Sequence, residues 1–246
     1  MEPRLNEFMQ AIGIPMPEWH GAQTPKRETL LGRYCRVEPV DVERHVEDLY
    51  QAYSAAPDGR DWTYLLAGPF DSLAAYREYL TRIAALSDPL HYAVIDLASG
   101  KALGTLSLMR IDPANGVIEV GSITFSPALK QTRIASEAIF LLIQHAFDDL
   151  GYRRFEWKCD SLNAPSRAAA LRFGFTFEGI FRQAIVYRGR SRDTAWFSII
   201  DGEWPVLREG FTQWLATRNF DAQGQQIERL ADLIAQQVAL AAKADG

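Results

Sequence analysis

The chain is short of the features that announce a specialised class. Its two cysteines, Cys35 and Cys159, stand far apart in apolar strand-like runs, neither with a Cys or His at ligand spacing. A disulfide framework and a structural zinc are therefore not expected. The four histidines, His20, His45, His91 and His145, share no spacing with one another or with carboxylates, so no metal site or catalytic triad is expected either. No apolar run approaches the roughly 18 residues of a membrane span. The opening MEPRLNEFMQ has neither the basic start nor the apolar stretch of a signal peptide. These absences predict a soluble, cytoplasmic protein with no membrane partner. Basic residues are also in deficit, with 26 Lys and Arg against 31 Asp and Glu and a formal net charge of -5. Nucleic-acid binding needs clustered cations that are missing here, so a cationic or small partner is expected. Repeats and low-complexity runs are absent.

What is present is a chain of 246 residues, 48% apolar, enough to bury one sizeable core. Pro3, Pro15, Pro17 and Pro25, with Gly13 and Gly21, break any long element before residue 30. The expected organisation is an extension over 1–29, a catalytic domain over 30–203 and a helical extension over 204–246. A strand is predicted from Leu30 to Glu38, then a helix capped by Asp41 and running to about Tyr53. The loop from Pro57 to Pro69 carries Trp62, Tyr64, Leu65 and, just after it, Phe70, which is core or substrate wall. Asp71 and Ser72 offer a cap for a helix with Leu73, Tyr76, Leu80, Ile83 and Ala84 on one face.

Strands at His91–Leu97, Ala102–Ile111 and Val117–Phe125 then form an antiparallel meander through two turns. Ile139, Leu142, Ile143, Ala146, Phe147 and Leu150 recur at helical spacing, and Gly151 ends that helix. A strand follows from Arg153 to Cys159, a helix opens at Pro165 and ends at Gly174, and a hairpin pairs Phe177–Tyr187 with Thr194–Ile200. Leu207, Phe211, Trp214 and Leu215 mark one helix face. Ile227, Leu230, Ile234, Val238 and Ala241 mark a last helix from about Gln226 to Lys243, free to dock on its own domain or on a second copy as a homodimer. Strands interleaved with helices in this order predict an α/β (α+β) fold on a mixed sheet, not a doubly wound one.

From Gly116 to Phe175 the order is strand, short polar loop, amphipathic helix, strand, then Asn163-Ala164-Pro165-Ser166 and a small-residue helix ending in Gly174-Phe175. This order resembles the acyl-coenzyme A core of the GNAT N-acetyltransferase superfamily, nearest to the ribosomal-protein alanine and serine acetyltransferases. The resemblance covers roughly residues 30–200. It implies a mostly antiparallel central sheet flanked by helices, and acetyl-CoA as cosubstrate with no metal. It implies transfer of an acetyl group to a primary amine, either a protein N-terminus or a small amine, by direct attack in a ternary complex.

The family's pyrophosphate loop, Gln/Arg-x-x-Gly-x-Gly/Ala, falls on Lys130-Gln131-Thr132-Arg133-Ile134-Ala135, followed by Ser136. Arg133 stands where Gly is usual, so the loop either strains there or is already helical. Its guanidinium could grip a phosphate instead. Asn163 suits the pantetheine amides, although the plainer reading makes Asn163 and Ser166 turn and helix caps. The usual Tyr acid is replaced by Ala170, and in the branch named above the serine that serves instead falls on Ser166. Family pattern places the base at Glu119, whose apolar strand neighbours predict a raised pKa; the alternative is an ion pair with an Arg of an adjacent strand. Thr124 and Phe125 match the place where two strands splay and a main-chain N–H meets the acetyl oxygen. Asp160, Asp193 and Glu178 are loop or strand carboxylates that could line an amine pocket, although charged residues on hairpins are usually just solvated. Two competing readings are a non-catalytic acyl-CoA-binding or regulatory module and a structural domain that has lost the ligand.

Overall fold

The computed structural model describes residues 4–244. The proline-rich start forms only a small exposed hairpin, β1 (Arg4–Leu5) with β2 (Ala11–Ile12). The single strand predicted over Leu30–Glu38 is instead two pieces, β3 (Leu30–Leu31) and β4 (Cys35–Pro39), folded back on each other. The reason is Glu137, a residue distant in sequence. Its carboxylate accepts the main-chain N–H groups of Arg33, Tyr34 and Cys35 at 2.7, 2.6 and 2.8 Å. A Cβ on Gly32 would lie 2.5 Å from that carboxyl carbon, so only glycine allows the approach.

Helix α1 (Val42–Ser54) starts at Asp41, whose side chain accepts from the Arg44 N–H, and α2 (Leu73–Ala84) starts at Ser72, which accepts from Ala75. The meander is β5 (Leu90–Asp96), β6 (Ala102–Asp112) and β7 (Val117–Phe125). Helix α3 (Arg133–Gln144) passes into a wider turn at His145–Asp149 before Gly151, at φ +73, stops it. Then come β8 (Arg154–Asp160), α4 (Ala164–Arg172), β9 (Thr176–Tyr187), β10 (Arg190–Ile200) and α5 (Trp204–Leu215). The last helix, α6 (Leu230–Ala244), begins four residues later than its apolar pattern predicts. The Asn219 side chain accepts from the Glu228 N–H and donates to the Glu228 and Trp214 carbonyls, and Phe220 bridges Gln226. Residues 226–229 are thereby held out of helical form.

Eight strands form one sheet in the order β3-β4-β5-β6-β7-β8-β10-β9, antiparallel throughout except for the parallel pair β7 and β8. Period-2 patterning sorts its faces. Tyr92, Val94, Leu106, Leu108, Ile118, Val120, Phe155, Trp157 and Phe197 point to one side, where α3 and α5 cover them. Phe211 of α5 stacks on Phe140 of α3 at 5.3 Å and on Phe173 at 6.1 Å. Each such ring buried contributes about 2 kcal/mol. Leu230, Leu233 and Ile234 of α6 join this core, while Val238 and Leu240 remain exposed. On the other face α1 and α2 pack Val46, Leu49, Tyr76, Leu80 and Ile83 against Ala93 and Ile95. They cover β5 and β6, and only the Tyr53 side chain of α1 extends to the end of β7. The polar residues of β7, β8 and β10 face out beyond them.

Candidate active site

Strands β7 and β8 run side by side from Val117↔Arg154 to Val120↔Trp157 and then part. Beyond that point β7 pairs only with β6 and β8 only with β10. A bulge opens the fork: the register of β6 on β7 shifts between Thr105 and Ser107, and Ser122 takes φ +50. At the end of β7, Ser126 N–H bonds Leu103 O, so by alternation the Phe125 main chain turns away from β6, toward the gap.

The loop after β7 leads into the N-terminus of α3. Thr132 is its cap: the hydroxyl accepts from Ala135 N–H at 3.2 Å and donates to Leu129 O at 2.7 Å. The first-turn N–H groups of Arg133 and Ile134 have no intrahelical acceptor, and with the helix dipole they make an anion seat. Of the two alternatives for Arg133 the structure takes the helical one, and the positive φ of +60 falls on Gln131 instead. The Arg133 guanidinium lies over the Tyr34 ring at 4.2 Å and near Phe220 at 5.3 Å. Lys130 pairs with Asp61. Ser136 is buried, its N–H and hydroxyl both directed to Thr132 O while Arg172 donates to its oxygen at 3.0 Å. It braces the loop from behind.

Asn163 caps α4, its Oδ1 accepting from the Ser166 N–H at 3.2 Å, so the helix begins at Ala164 and the cap role belongs to Asn163 alone. The Ser166 hydroxyl accepts from the indole of Trp157 at 3.0 Å. Trp157 is the last residue of β8 in register with β7, which places Ser166 beside the fork. Ala170, in the position of the missing tyrosine, is fully buried.

Glu119 is 3% exposed, but its surroundings are not the apolar ones predicted. Arg110 of β6 reaches its Oε2 at 2.6 Å and Lys158 of β8 reaches the same oxygen at 3.0 Å. Both cations grip one oxygen. The other, Oε1, points along the strand to within 3.5 Å of where a Cβ on Gly121 would stand, at the start of the fork. Lys158 continues the network to Glu156 at 2.5 Å and lies 3.8 Å over the Trp196 ring. Beyond it Arg154 pairs with Glu156 and Glu178, and holds the Glu178 carboxyl down at about 2. Arg110 is the adjacent-strand Arg of the alternative reading of Glu119; Lys158 is a neighbour that strand patterning alone did not reveal, because it depends on which strand lies on the other side of β7. Asp160 is buried rather than solvated, because it accepts from Tyr187 OH and the Leu162 N–H, and Asp193 accepts from the Gln183 N–H. His45 and His145 do find carboxylates, Glu38 at 2.7 Å and Asp149 at 2.8 Å, in each case as a scaffold contact away from the fork.

The loop between α1 and α2 spans the open end of the fork. It is tied by Asp61 to Lys130 after β7, and by Tyr64 OH to Leu162 O after β8 at 3.1 Å. Arg188 and Arg190 at the β9–β10 turn hold it from outside, donating to Trp62 O, Gly68 O and Thr63 O at 2.7 Å each. Trp62 is buried edge-on to Tyr53 and Phe70 at 5.4 Å, beside a cavity of about 150 Å³ that Tyr50 and Tyr76 also line.

The family profile of the acetyltransferase (GNAT) domain matches residues 36–176. The uncharacterized N-acetyltransferase p20 of Bacillus licheniformis is 28% identical over 144 residues, 57% of this chain and 80% of that protein. The ribosomal-protein-serine acetyltransferase of Escherichia coli (strain K12) is 37% identical over 82 residues, 33% of this chain and 45% of that protein. The crystal structure of a GCN5-related N-acetyltransferase from Brucella melitensis superposes with a TM-score of 0.87 at 48% identity, covering 89% of this chain and all of that one.

Proposed function

The chain belongs to the GNAT acetyltransferase family and is an acetyl-CoA-dependent N-acetyltransferase, and from that premise we propose that its acceptor is a primary amine, a protein N-terminus or small cytoplasmic amine, attacked directly within a ternary complex. The observation that carries this reading is the parting of β7 and β8 after Val120 and Trp157. A fork with main chain turned into it, next to an uncapped helix N-terminus, fits a pantetheine arm and a pyrophosphate.

In this reading the main-chain N–H groups of Gln131, Arg133 and Ile134 hold the pyrophosphate, while those of Thr132 and Ala135 bond within the loop and cap it, and Lys130 and Ser136 fix the loop at either end. Asn163 offers its free amide N–H to the pantetheine, and the backbone of Thr124 and Phe125 lines the acyl end. The amine nitrogen bonds to the thioester carbonyl carbon, and the carbonyl electrons move to oxygen beside Phe125 N–H. The amine proton passes to Glu119 Oε1, directly or through water. Collapse breaks the C–S bond and the sulfur leaves as a thiolate, to which the Ser166 hydroxyl, whose oxygen already accepts from Trp157, donates a hydrogen bond until solvent protonates it. A covalent acetyl-cysteine has no support: Cys35 and Cys159 are buried, and burial pushes both thiols up.

The test is thiol release from acetyl-CoA across a panel of primary amines and Ala- or Ser-starting peptides, with acetyl-CoA binding followed by calorimetry. Release that requires an amine, with intersecting initial-velocity lines, is the expected result. Parallel lines would indicate a ping-pong route. Tight acetyl-CoA binding with no turnover on any amine would favour the non-catalytic acyl-CoA-binding module.

A further inference from the structure

Tyr53, in the last turn of α1, reaches over the sheet to the end of β7. Its hydroxyl lies 3.0 Å from the Thr124 carbonyl oxygen and 3.2 Å from Thr105 Oγ1. A carbonyl oxygen can only accept, so the phenol proton goes to Thr124, and the Thr105 hydroxyl donates in turn to the phenol oxygen. The direction of that carbonyl has independent support: a Cβ on Gly104 of β6 would lie 2.8 Å from the same oxygen, so the carbonyl leans over β6, away from the fork. A trans peptide unit sets its C=O and N–H on opposite sides. The N–H of Phe125 is the other half of this unit, and it points into the gap that β8 has left.

We propose that Tyr53 is a positioning residue for acetyl transfer, holding the Thr124–Phe125 peptide so that the Phe125 N–H meets the thioester oxygen. The relay from Thr105 through Tyr53 to the Thr124 carbonyl also polarises that N–H, because hydrogen bonds in series strengthen one another. Negative charge developing on the oxygen is where such a donor contributes most. Tyr53 transfers no proton in this role, and burial keeps the phenol above its ordinary range, so the donor persists wherever an amine is free to attack. The inference rests on the acyl-transfer reading above and adds to it a residue outside the strands and loops that hold the cosubstrate.

Tyr53→Phe removes the donor and keeps the ring that packs edge-on to Trp62 and Tyr76. Thr105→Val removes only the first step of the relay. The probe is acetyl-CoA labelled at its thioester carbonyl, bound without amine and observed by infrared difference spectroscopy, beside thiol release with an amine. In the parent protein the bound carbonyl stretch is expected at lower wavenumber than in free acetyl-CoA. In Tyr53→Phe part of that shift should vanish and kcat should fall about tenfold, with KM for acetyl-CoA within about twofold. Thr105→Val should move both readouts the same way by less. Unchanged stretch and kcat in Tyr53→Phe that still binds acetyl-CoA would overturn the proposal while leaving the acyl-transfer reading intact. Should Tyr53→Phe not fold, an unchanged stretch in Thr105→Val overturns it. Failure of the parent protein to bind acetyl-CoA would instead bring down the acyl-transfer reading, and this inference with it.

Discussion

The indole of Trp157 donates to the Ser166 hydroxyl at 3.0 Å, joining the last paired residue of β8 to the first turn of α4. The bond orients the hydroxyl and leaves its own proton available for the leaving group. Ser166→Ala should therefore lower kcat without abolishing it. A thiolate with pKa ~8.5 is a fair leaving group unaided, so the expected loss is about tenfold. The same change leaves a part-buried indole N–H without its acceptor, at a cost of about 1 kcal/mol. Thiol-release kinetics and a urea titration together check both effects, and Ser166→Thr should recover the stability.

Glu119→Gln keeps the shape of the side chain and removes its charge. Arg110 and Lys158 then face a neutral amide, and breaking such a buried pair costs about 3 kcal/mol. If Oε1 takes the amine proton, kcat/KM at neutral pH should fall by about a hundredfold. The deficit should narrow as pH rises, since more of the amine is then already deprotonated. A deficit that stays constant from neutral to alkaline pH would count against Glu119 as the base and leave it a structural member of the network.

Glu137→Gln tests the hairpin that replaces the predicted first strand. One amide oxygen cannot serve three N–H donors, and the amide NH2 would face the others. A loss of about 3 kcal/mol in urea unfolding is expected, with hydrogen exchange raised at residues 33–35.

His91 gives a pH dependence whose sign can be worked out. It is 4% exposed, its Nδ1 has no partner among the described residues, and burial with help from Arg27 pushes its pKa from 6.5 to about 4. The unfolded chain takes up the proton first as pH falls, so stability is full above 6.5 and declines down to about 4. The total is about 3 kcal/mol. His91→Gln, which cannot protonate, should flatten that part of the stability profile.

Much of the fold was legible because it is written in short-range pattern. The α1 and α2 caps at Asp41 and Ser72, the meander turns and the Gly151 stop each follow from a few neighbouring residues. The errors have long-range causes. Leu30 to Glu38 alternates like one strand, but Glu137, a hundred residues away, folds it in two. Gln226 to Arg229 carries helical spacing, but Asn219 holds that backbone out of helical form. The apolar neighbours of Glu119 in sequence suggested a dry carboxylate, yet its neighbours across the sheet are two cations.

By itself the sequence determined the order of strands and helices, the loop at Lys130–Ala135 and the Asn163-to-Phe175 segment, because period, caps and turns depend on residues close along the chain. Tertiary structure alone decided where β7 leaves β8, which oxygen of Glu119 stays free, that Arg133 rests on Tyr34 and that Tyr53 meets Thr124. Each of these is a contact between elements far apart in sequence, and neither hydrogen-bond direction nor side-chain surroundings exist until the strands have found their neighbours.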